Sequence, residues 1–292
     1  MRITQQMLTS NMTTQMNRNL SNLENANQQV SSGKRINKPS DDPMGTEKSL
    51  KLSSQLARNE QYERNTNYAM SWMDMTEKTL SSVLNVFQRA SELGVQASSG
   101  TNSQDELETM AKEFKQLRQE LEGLANTKLD GKYIFNGQKT DQPIVIEANG
   151  DLTFDNGTMK QRISPFSEVK INVSADEVFD GNVNLFKALD SFSQALTNGN
   201  TEEMNAALGE IEKGSDQVLT SWTGMGARQS RVESMNQRLK DENISVQSFL
   251  SKNEDIDLAE AIMKLKSEES VYQATLASSA KIIQPSLLDF LR

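Results

Sequence analysis

Apolar residues recur at helical spacing at both ends of the chain. Between residues 1 and 32 they follow one another in steps of three and four, with one slip: Ile3, Met7, Met12, Met16, Leu20, Leu23 and Val30. A second stripe of this kind lies within residues 256–292: Leu258, Ile262, Leu265, Tyr272, Leu276 and Ile283. The spacing predicts two amphipathic helices. Because neither helix can bury its stripe alone, we expect each to pack against the other and to leave apolar surface for further copies of the chain.

Two longer stretches, 44–126 and 184–255, carry heptad-like patterns. In the first, the sequence SSGTNS divides two helices, and Ser103 with Glu106 predicts a capping box at the start of the second one. The apolar positions of these two helices are Met70, Met73, Leu80, Leu84 and Phe87, then Leu107, Met110, Phe114, Leu117, Leu121 and Leu124. This pattern predicts an antiparallel helical hairpin.

The second stretch resumes a helix near Leu185 and has an apolar residue at every seventh position. The residues are Met204, Ile211, Val218, Met225, Val232, Leu239 and Val246. Such a run predicts one face of a long packed helix. Gly224 and Gly226 interrupt it, and we expect a kink or a close helix contact there.

Residues 127–183 predict a small β-rich insertion. Asn149-Gly150 separates two apolar runs, which is typical of a hairpin turn, and residues 155–157 (DNG) predict a second turn. Residues 168–173 (EVKINV) alternate as a strand does.

The predicted fold class is mainly α. We expect an elongated antiparallel helical bundle or coiled coil with a small β-rich inserted domain and amphipathic terminal helices. The predicted segments are 1–33, an N-terminal assembly helix; 34–43, a helix-break-helix connector; 44–126, the hairpin; 127–183, the insertion; 184–255, the helical return; and 256–292, a C-terminal assembly helix.

The stretch SSGKRINKPSDDP, residues 31–43, is the strongest candidate for chemistry. It is not a phosphate-binding loop, because no glycine precedes Gly33 and Arg35 follows the lysine. Adjacent aspartates alone do not form a cage for a cation. Each residue instead fits a helix terminus. Gly33 suits the end of one helix, with Lys34 and Arg35 beside its negative end, Pro39 stops that helix, and Asp42 caps the next one with Pro43 at its first position.

The composition argues against several other functions. The net charge is −9 and the pI about 4.9, which argues against a nucleic-acid partner. Apolar residues make up 35% and aromatic residues 5%, so a thin core shared along helices fits better than a thick globular one. The chain has no cysteine and no histidine. We find no candidate for a catalytic, metal-binding or cofactor-binding residue and expect a protein that is not an enzyme and needs no cofactor. The start has no apolar run typical of a signal peptide, and no stretch is long enough for a membrane span.

Several segments then carry a resemblance. The start MRIT, the connector SSGKRINKPSDDP and the ending PSLLDFLR are similar to the terminal signatures of the flagellin superfamily. Segments 124–137 (LANTKLDGKYIFNG), 177–181 (EVFDG), 184–192 (NLFKALDSF) and 226–234 (GARQSRVES) resemble its hook-associated branch. Pro43-Met44-Gly45 stands where filament-forming flagellins usually carry an alanine-rich sequence.

The resemblance implies a structural component of the bacterial flagellum, an adaptor that joins hook to filament and templates flagellin assembly. It implies a ring of identical subunits, with a preceding hook-associated protein, flagellin and a cytoplasmic export chaperone as further partners. It also implies type III export without a cleaved signal peptide, an extracellular location, and terminal helices that order on assembly. The residues expected at the assembly interface are Ile3, Leu20, Leu23, Val30, Leu276, Ile283, Leu287 and Phe290.

Two alternatives stay open at this point. A short flagellin would form the filament itself. A surface adhesin would use an exposed aromatic cluster on the insertion, whose aromatic residues we expect to form its small core instead: Tyr133, Phe135, Phe154, Phe166 and Phe179.

Overall fold

The computed structural model describes residues 5–99 and 102–283, with side chains from residue 7 to residue 280 in those ranges. This part of the chain is mainly helical, as predicted. Its helices are α1 (Gln5–Ser32), α2 (Pro43–Ser98), α3 (Gln104–Ala125), α4 (Ala175–Val178), α5 (Leu185–Asn198), α6 (Thr201–Glu254) and α7 (Leu258–Ile283).

Short antiparallel strand pairs form the β part, and all lie in the predicted insertion. The strands are β1 (Lys128–Leu129), β2 (Lys132–Tyr133), β3 (Val145–Ile146), β4 (Leu152–Thr153), β5 (Lys160–Ser164) and β6 (Ser167–Lys170). The predicted turn at Asn149-Gly150 joins β3 to β4, with Gly150 at φ +83°. The predicted strand 168–173 is shorter than expected, since β6 ends at Lys170.

The described chain divides into two compact units. The first unit comprises residues 1–58 and 242–292, and the second unit comprises residues 59–241. Helices α2 and α6 contribute residues to both.

The second unit contains the predicted heptad seams except for Val246, which belongs to the first unit. The apolar residues that recur every seven positions on α6 are buried, as are Met73, Leu80 and Phe87 on α2. Helix α3 packs on α5 through Phe114, whose ring stacks on Phe192 with centroids 4.6 Å apart. Each such side chain contributes about 1.5–3 kcal/mol when it is fully buried. The periodicity in the sequence therefore marks a true core.

The predicted capping box at the start of α3 is confirmed. The backbone N–H of Ser103 donates to Glu106 Oε2 at 2.7 Å, and the N–H of Glu106 donates to Ser103 Oγ at 3.4 Å. The N–H of Ser103 stabilises the carboxylate, which lowers the pKa of Glu106.

The insertion has an aromatic core of its own. The rings of Phe135 and Phe179 meet edge to face at 5.2 Å, and both are buried. Tyr133 and Phe154 are half-buried. The prediction that Phe166 joins this core is wrong, because its side chain is fully exposed in the turn between β5 and β6.

Two further expectations need correction. The helical return is broken at Gly199, which ends α5 at φ +67°, and the side chain of Asn200 then caps α6 by accepting from the N–H of Glu202 at 3.0 Å. A close helix contact at Gly224 and Gly226 is absent, since a Cβ at either position would meet no atom within 4 Å. Both glycines lie inside the continuous helix α6.

Candidate assembly site

The connector of residues 33–43 ends one helix and starts the next. Gly33 has φ +69°, and its N–H donates to the carbonyl of Gln29 at 2.9 Å, which terminates α1. Pro43 is the first residue of α2. The N–H of Gly45 donates to Asp42 Oδ1 at 2.9 Å, so Asp42 caps this helix. The predicted roles of Gly33, Asp42 and Pro43 in the helix termini agree with this geometry.

Both aspartates of the connector hold backbone N–H groups. Asp41 Oδ2 accepts from the N–H of Asn37 at 3.1 Å and of Lys38 at 2.8 Å, which folds the segment around Pro39. The pKa of Asp42 is lowered, first by the N–H of Gly45 and then by the side chain of Arg35. The two carboxylates therefore stabilise the backbone of the connector and the start of α2.

Lys34 and Arg35 directly follow the end of α1, but their charged groups contact the end of α6. Arg35 donates from its backbone N–H to the carbonyl of Glu254 at 2.6 Å and from Nη2 to the carbonyl of Asn253 at 3.0 Å. Lys34 Nζ lies 2.6 Å from Glu254 Oε1. The two cations thus cap the carboxyl end of α6, where the negative end of the helix dipole favours them. This contact joins residues far apart in the sequence, which local spacing does not reveal.

Gly45, Ser49 and Asn253 were assigned no role in this junction from the sequence. Asn253 Nδ2 donates to the carbonyl of Gly45 at 2.8 Å and to Ser49 Oγ at 2.8 Å. A Cβ on Gly45 would lie 2.5 Å from Asp42 Oδ2, so a larger residue there would displace the carboxylate that caps α2. Asn253 follows Val246 by seven positions, so the heptad series of α6 was a signal that could have found it.

Helices α1 and α7 pack against each other, as expected. Asn19 Nδ2 donates to Thr275 Oγ1 at 2.7 Å across the pair. The contact face is narrow and its buried positions are small or polar: Asn19, Ala26, Ala261 and Ser279. Larger apolar side chains along it are half-buried: Met12, Met16, Leu23, Val30, Leu265 and Tyr272.

The single stripe predicted for α7 is divided in the structure. Leu265 and Tyr272 belong to the face that meets α1, but Leu258, Ile262 and Leu276 are exposed. The reason is that a pair of helices covers only one side of each, while the stripe spreads over a wider arc.

The predicted interface residues fall into three groups. Leu20 and Leu276 are exposed at 37% and 42%, while Leu23 and Val30 are half-buried against α7. Ile3, Leu287 and Phe290 lie outside the described residues. The backbone of Ile283 ends α7, but its side chain is not among those described. Their role in assembly stays a prediction.

More apolar surface lies elsewhere in the first unit. Met44 at the start of α2 is 84% exposed, and Ile244 and Phe249 on α6 are 68% and 54% exposed. Exposed large apolar side chains of this kind are candidates for contacts with other proteins. Within residues 7–99 and 102–280 we find no cluster of acidic residues suited to a metal ion. No helix in the described ranges is long and apolar enough to cross a membrane.

These features define a class: a helical protein in which the second unit has its own apolar core and the first unit exposes apolar side chains. Comparisons with known proteins agree. Residues 3–140 match the bacterial flagellin N-terminal helical region, and residues 208–291 match the bacterial flagellin C-terminal helical region. Together these matches cover most of the chain, which belongs to the flagellin superfamily.

Among curated relatives, the flagellar hook-associated protein 3 of Escherichia coli (strain K12) is 29% identical over 85% of this chain and 86% of its own length. The protein of that name from Salmonella typhimurium is 28% identical over the same shares. These relatives are structural flagellar proteins.

Solved structures show the same fold. A flagellar hook-associated protein from Vibrio parahaemolyticus superposes with a TM-score of 0.68 at 21% identity, over 74% of this chain and 100% of that one. The flagellar junction protein FlgL from Legionella pneumophila gives a TM-score of 0.62 at 16% identity, over 71% and 99%.

Proposed function

We propose that this chain is the adaptor that joins the flagellar hook to the filament. The observation that carries the proposal is its match, almost end to end, with hook-associated protein 3 from two bacteria. On this proposal the protein acts by assembly and catalyses no reaction.

The mechanism uses the first unit as the assembly region. Identical subunits would form a ring through head-to-tail contacts, in which each copy covers the apolar side chains that its neighbour exposes. Leu20 and Ile262 are 37% and 43% exposed, so burying what remains of each contributes less than half of the roughly 1.5–3 kcal/mol that full burial gives. The segments 1–33 and 256–292 are the assembly helices of this proposal, and the connector 34–43 holds the end of α6 against the start of α2.

The proposed partners are further copies of this chain, the preceding hook-associated protein and flagellin. We expect a cytoplasmic export chaperone to cover residues 256–292 before export, because the apolar residues of α7 would otherwise promote aggregation. Export through the flagellar pathway without a cleaved signal peptide is part of the same proposal.

A short flagellin is the second candidate. One observation favours it: the flagellin of Halalkalibacterium halodurans is 26% identical over 91% of this chain and 90% of its own length. Such a protein would build the filament itself rather than its base.

Electron microscopy of cells that lack this gene, with an assay for flagellin in the medium, separates these functions. Bare hooks with soluble flagellin outside support the adaptor. Bare hooks without any flagellin would mean that this chain is the filament protein. Normal filaments would contradict both.

A further inference from the structure

The turn between β5 and β6 presents an aromatic side chain to solvent. Pro165 and Phe166 form this two-residue turn, and Phe166 is 101% exposed. The hairpin is held firmly on the helices behind it. Asn65 Nδ2 donates to the carbonyl of Arg162 at 2.7 Å, and Arg231 Nη2 donates to Ser167 Oγ at 3.0 Å. A fixed, fully exposed phenyl ring gains nothing within its own chain, whereas such rings are common anchors at protein interfaces.

Basic side chains flank this tip. Arg162 is 61% exposed and lies 3.0 Å from Glu168. Arg231 is exposed, and no carboxylate lies within ion-pair distance of it in the described part of the chain. The tip is therefore basic, although the second unit as a whole is acidic, with 28 of the 40 acidic and 18 of the 31 basic residues.

A groove of opposite character lies between α2 and α6. It has a volume of about 540 Å³, and its lining is mostly polar, with Gln88, Ser91 and Ser215 above the buried ring of Phe87. Leu219, one helical turn beyond Ser215, lies beside this lining and is an apolar side chain that is 49% exposed. Glu212 and Asp216 stand at its rim, and neither has a cation within ion-pair distance among the residues the structure describes.

The insertion, which carries the tip, and Leu219, which lies beside the groove, are on opposite faces of α6. Gln217 Nε2 donates to the carbonyl of Val178 at 2.9 Å, and Ser221 Oγ donates to the carbonyl of Glu177 at 2.8 Å, so this face meets the insertion. Leu219 lies two residues from both, which turns it about 200° away around the helix axis. Two different surfaces on opposite sides of one subunit are what a head-to-tail contact requires.

We propose that the Pro165-Phe166 tip of one copy docks into the α2–α6 groove of the next copy. Phe166 would cover Leu219, and Arg231 would face the carboxylates of Glu212 and Asp216. Opposite charges on the two surfaces select this partner and its orientation. The inference rests on the proposed function, since it needs identical subunits side by side.

The test uses the absence of cysteine from the chain. A variant with Phe166→Cys and Ser215→Cys is expressed in place of the natural protein, and hooks with attached filaments are isolated and oxidised. We expect a ladder of disulfide-linked oligomers, absent from each single variant. Val145→Cys with Ser215→Cys is the matched control, because Val145 is exposed on the same insertion but belongs to the β3–β4 hairpin.

Charge reversal sharpens the test. Adding Arg231→Glu should remove most of the ladder, and adding Asp216→Arg to that variant should restore it. A rescue of this kind distinguishes a contact between the two charges from a loss of folding.

Three results would overturn the inference. Dimers from Phe166→Cys alone would mean that tip meets tip. A ladder of equal yield in the Val145→Cys control would mean non-specific collision. No ladder with Phe166→Cys paired to either Ser215→Cys or Gln88→Cys, in cells whose filaments are normal and depend on this chain, would refute the docking and leave the proposed function intact. Bare hooks with no flagellin outside in the deletion strain would instead refute the proposed function.

Discussion

The two units differ in what they bury. In the second unit, residues 59–241, the largest fully buried side chains include Trp72, Phe87, Phe114 and Phe186. The buried apolar residues of the first unit are few and mostly small: Ala26, Ile36, Val246 and Ala261 in the described ranges. The second unit thus has a core that supports it, whereas the first unit holds its helices together by polar contacts and a narrow seam.

The surfaces differ in the opposite direction. Of the seventeen exposed large apolar side chains in the described ranges, twelve belong to the first unit, although it is the smaller one. The first unit has 12 acidic and 13 basic residues, so the net charge of −9 comes from the second. A nearly neutral, apolar surface favours association, and an acidic one favours solubility. The second unit is thus stabilised by its own core, whereas the surface of the first unit is suited to contacts with other chains.

The largest expected effect comes from removing residues 258–292. We expect the truncated protein to fail completely in forming filaments in cells, because the exposed apolar side chains of α7 are lost. The second unit should remain folded, with unchanged tryptophan fluorescence and an unchanged urea midpoint, since Trp72 and Trp222 both lie within it. Filaments restored by the truncated protein would contradict the comparison.

A full-length variant distinguishes the loss of exposed apolar side chains from the loss of the helix itself. Serine in place of Leu258, Ile262 and Leu276 removes exposed apolar side chains but keeps α7. This variant should also fail to assemble, and normal filaments from it would assign the effect of the truncation to other residues.

A matched pair of phenylalanines provides the second test. Phe114 is fully buried and Phe249 is 54% exposed. Phe114→Ala should lower the free energy of unfolding by about 3–5 kcal/mol, because it leaves a cavity. Phe249→Ala should change it by less than about 0.5 kcal/mol. Urea unfolding followed by fluorescence measures both.

The same pair should reverse its order in assembly. Cells with Phe249→Ala should carry fewer filaments, although the soluble protein is as stable as before. Equal filament numbers in that variant and the parent would show that Phe249 covers no partner.

A pair of glycines gives a smaller effect of opposite sign. Gly33 has φ +69° and Gly224 is helical, and a Cβ at either position meets open space. Gly33→Ala should therefore lower the free energy of unfolding by about 1–2 kcal/mol, which is the strain of a non-glycine residue in the left-handed conformation. Gly224→Ala should stabilise α6 by about 1 kcal/mol. Hydrogen exchange of the connector and urea unfolding would measure these changes, and a stabilising Gly33→Ala would contradict the assigned turn.

Much of this organisation follows from local patterns. The heptad series of α6, the capping box at Ser103 and Glu106, and the ends of α1 and α2 depend on residues close in sequence, and they were predictable for that reason. The partners of Lys34 and Arg35 at the end of α6 were not, because that contact depends on how distant segments pack. The exposure of Phe166 was not predictable either, since the sequence does not reveal whether an aromatic residue next to a strand lies in the core or in the exposed turn.

The smallest effect concerns acid and compares the two caps. The pKa of Asp42 is lowered by the N–H of Gly45 and by Arg35, and the pKa of Glu106 is lowered by Ser103. A carboxyl group with a lowered pKa in the folded state stabilises that state above its unfolded pKa, about 3.9–4.3 for Asp and Glu. That contribution is lost as the pH falls through the lower folded pKa.

Asp42→Asn keeps an oxygen for the N–H of Gly45 but removes the charge. We expect the parent protein to lose hydrogen-exchange protection at Gly45 and Thr46 below about pH 4, after correction for the intrinsic rate, and the variant to lack this change. Glu106→Gln should alter protection at the start of α3 less, because buried Phe114 and Leu117 hold that helix in the core. An equal loss of protection at both caps would mean that the charge of the capping residue determines the stability of the first helical turn. The buried core of the second unit would then make no difference.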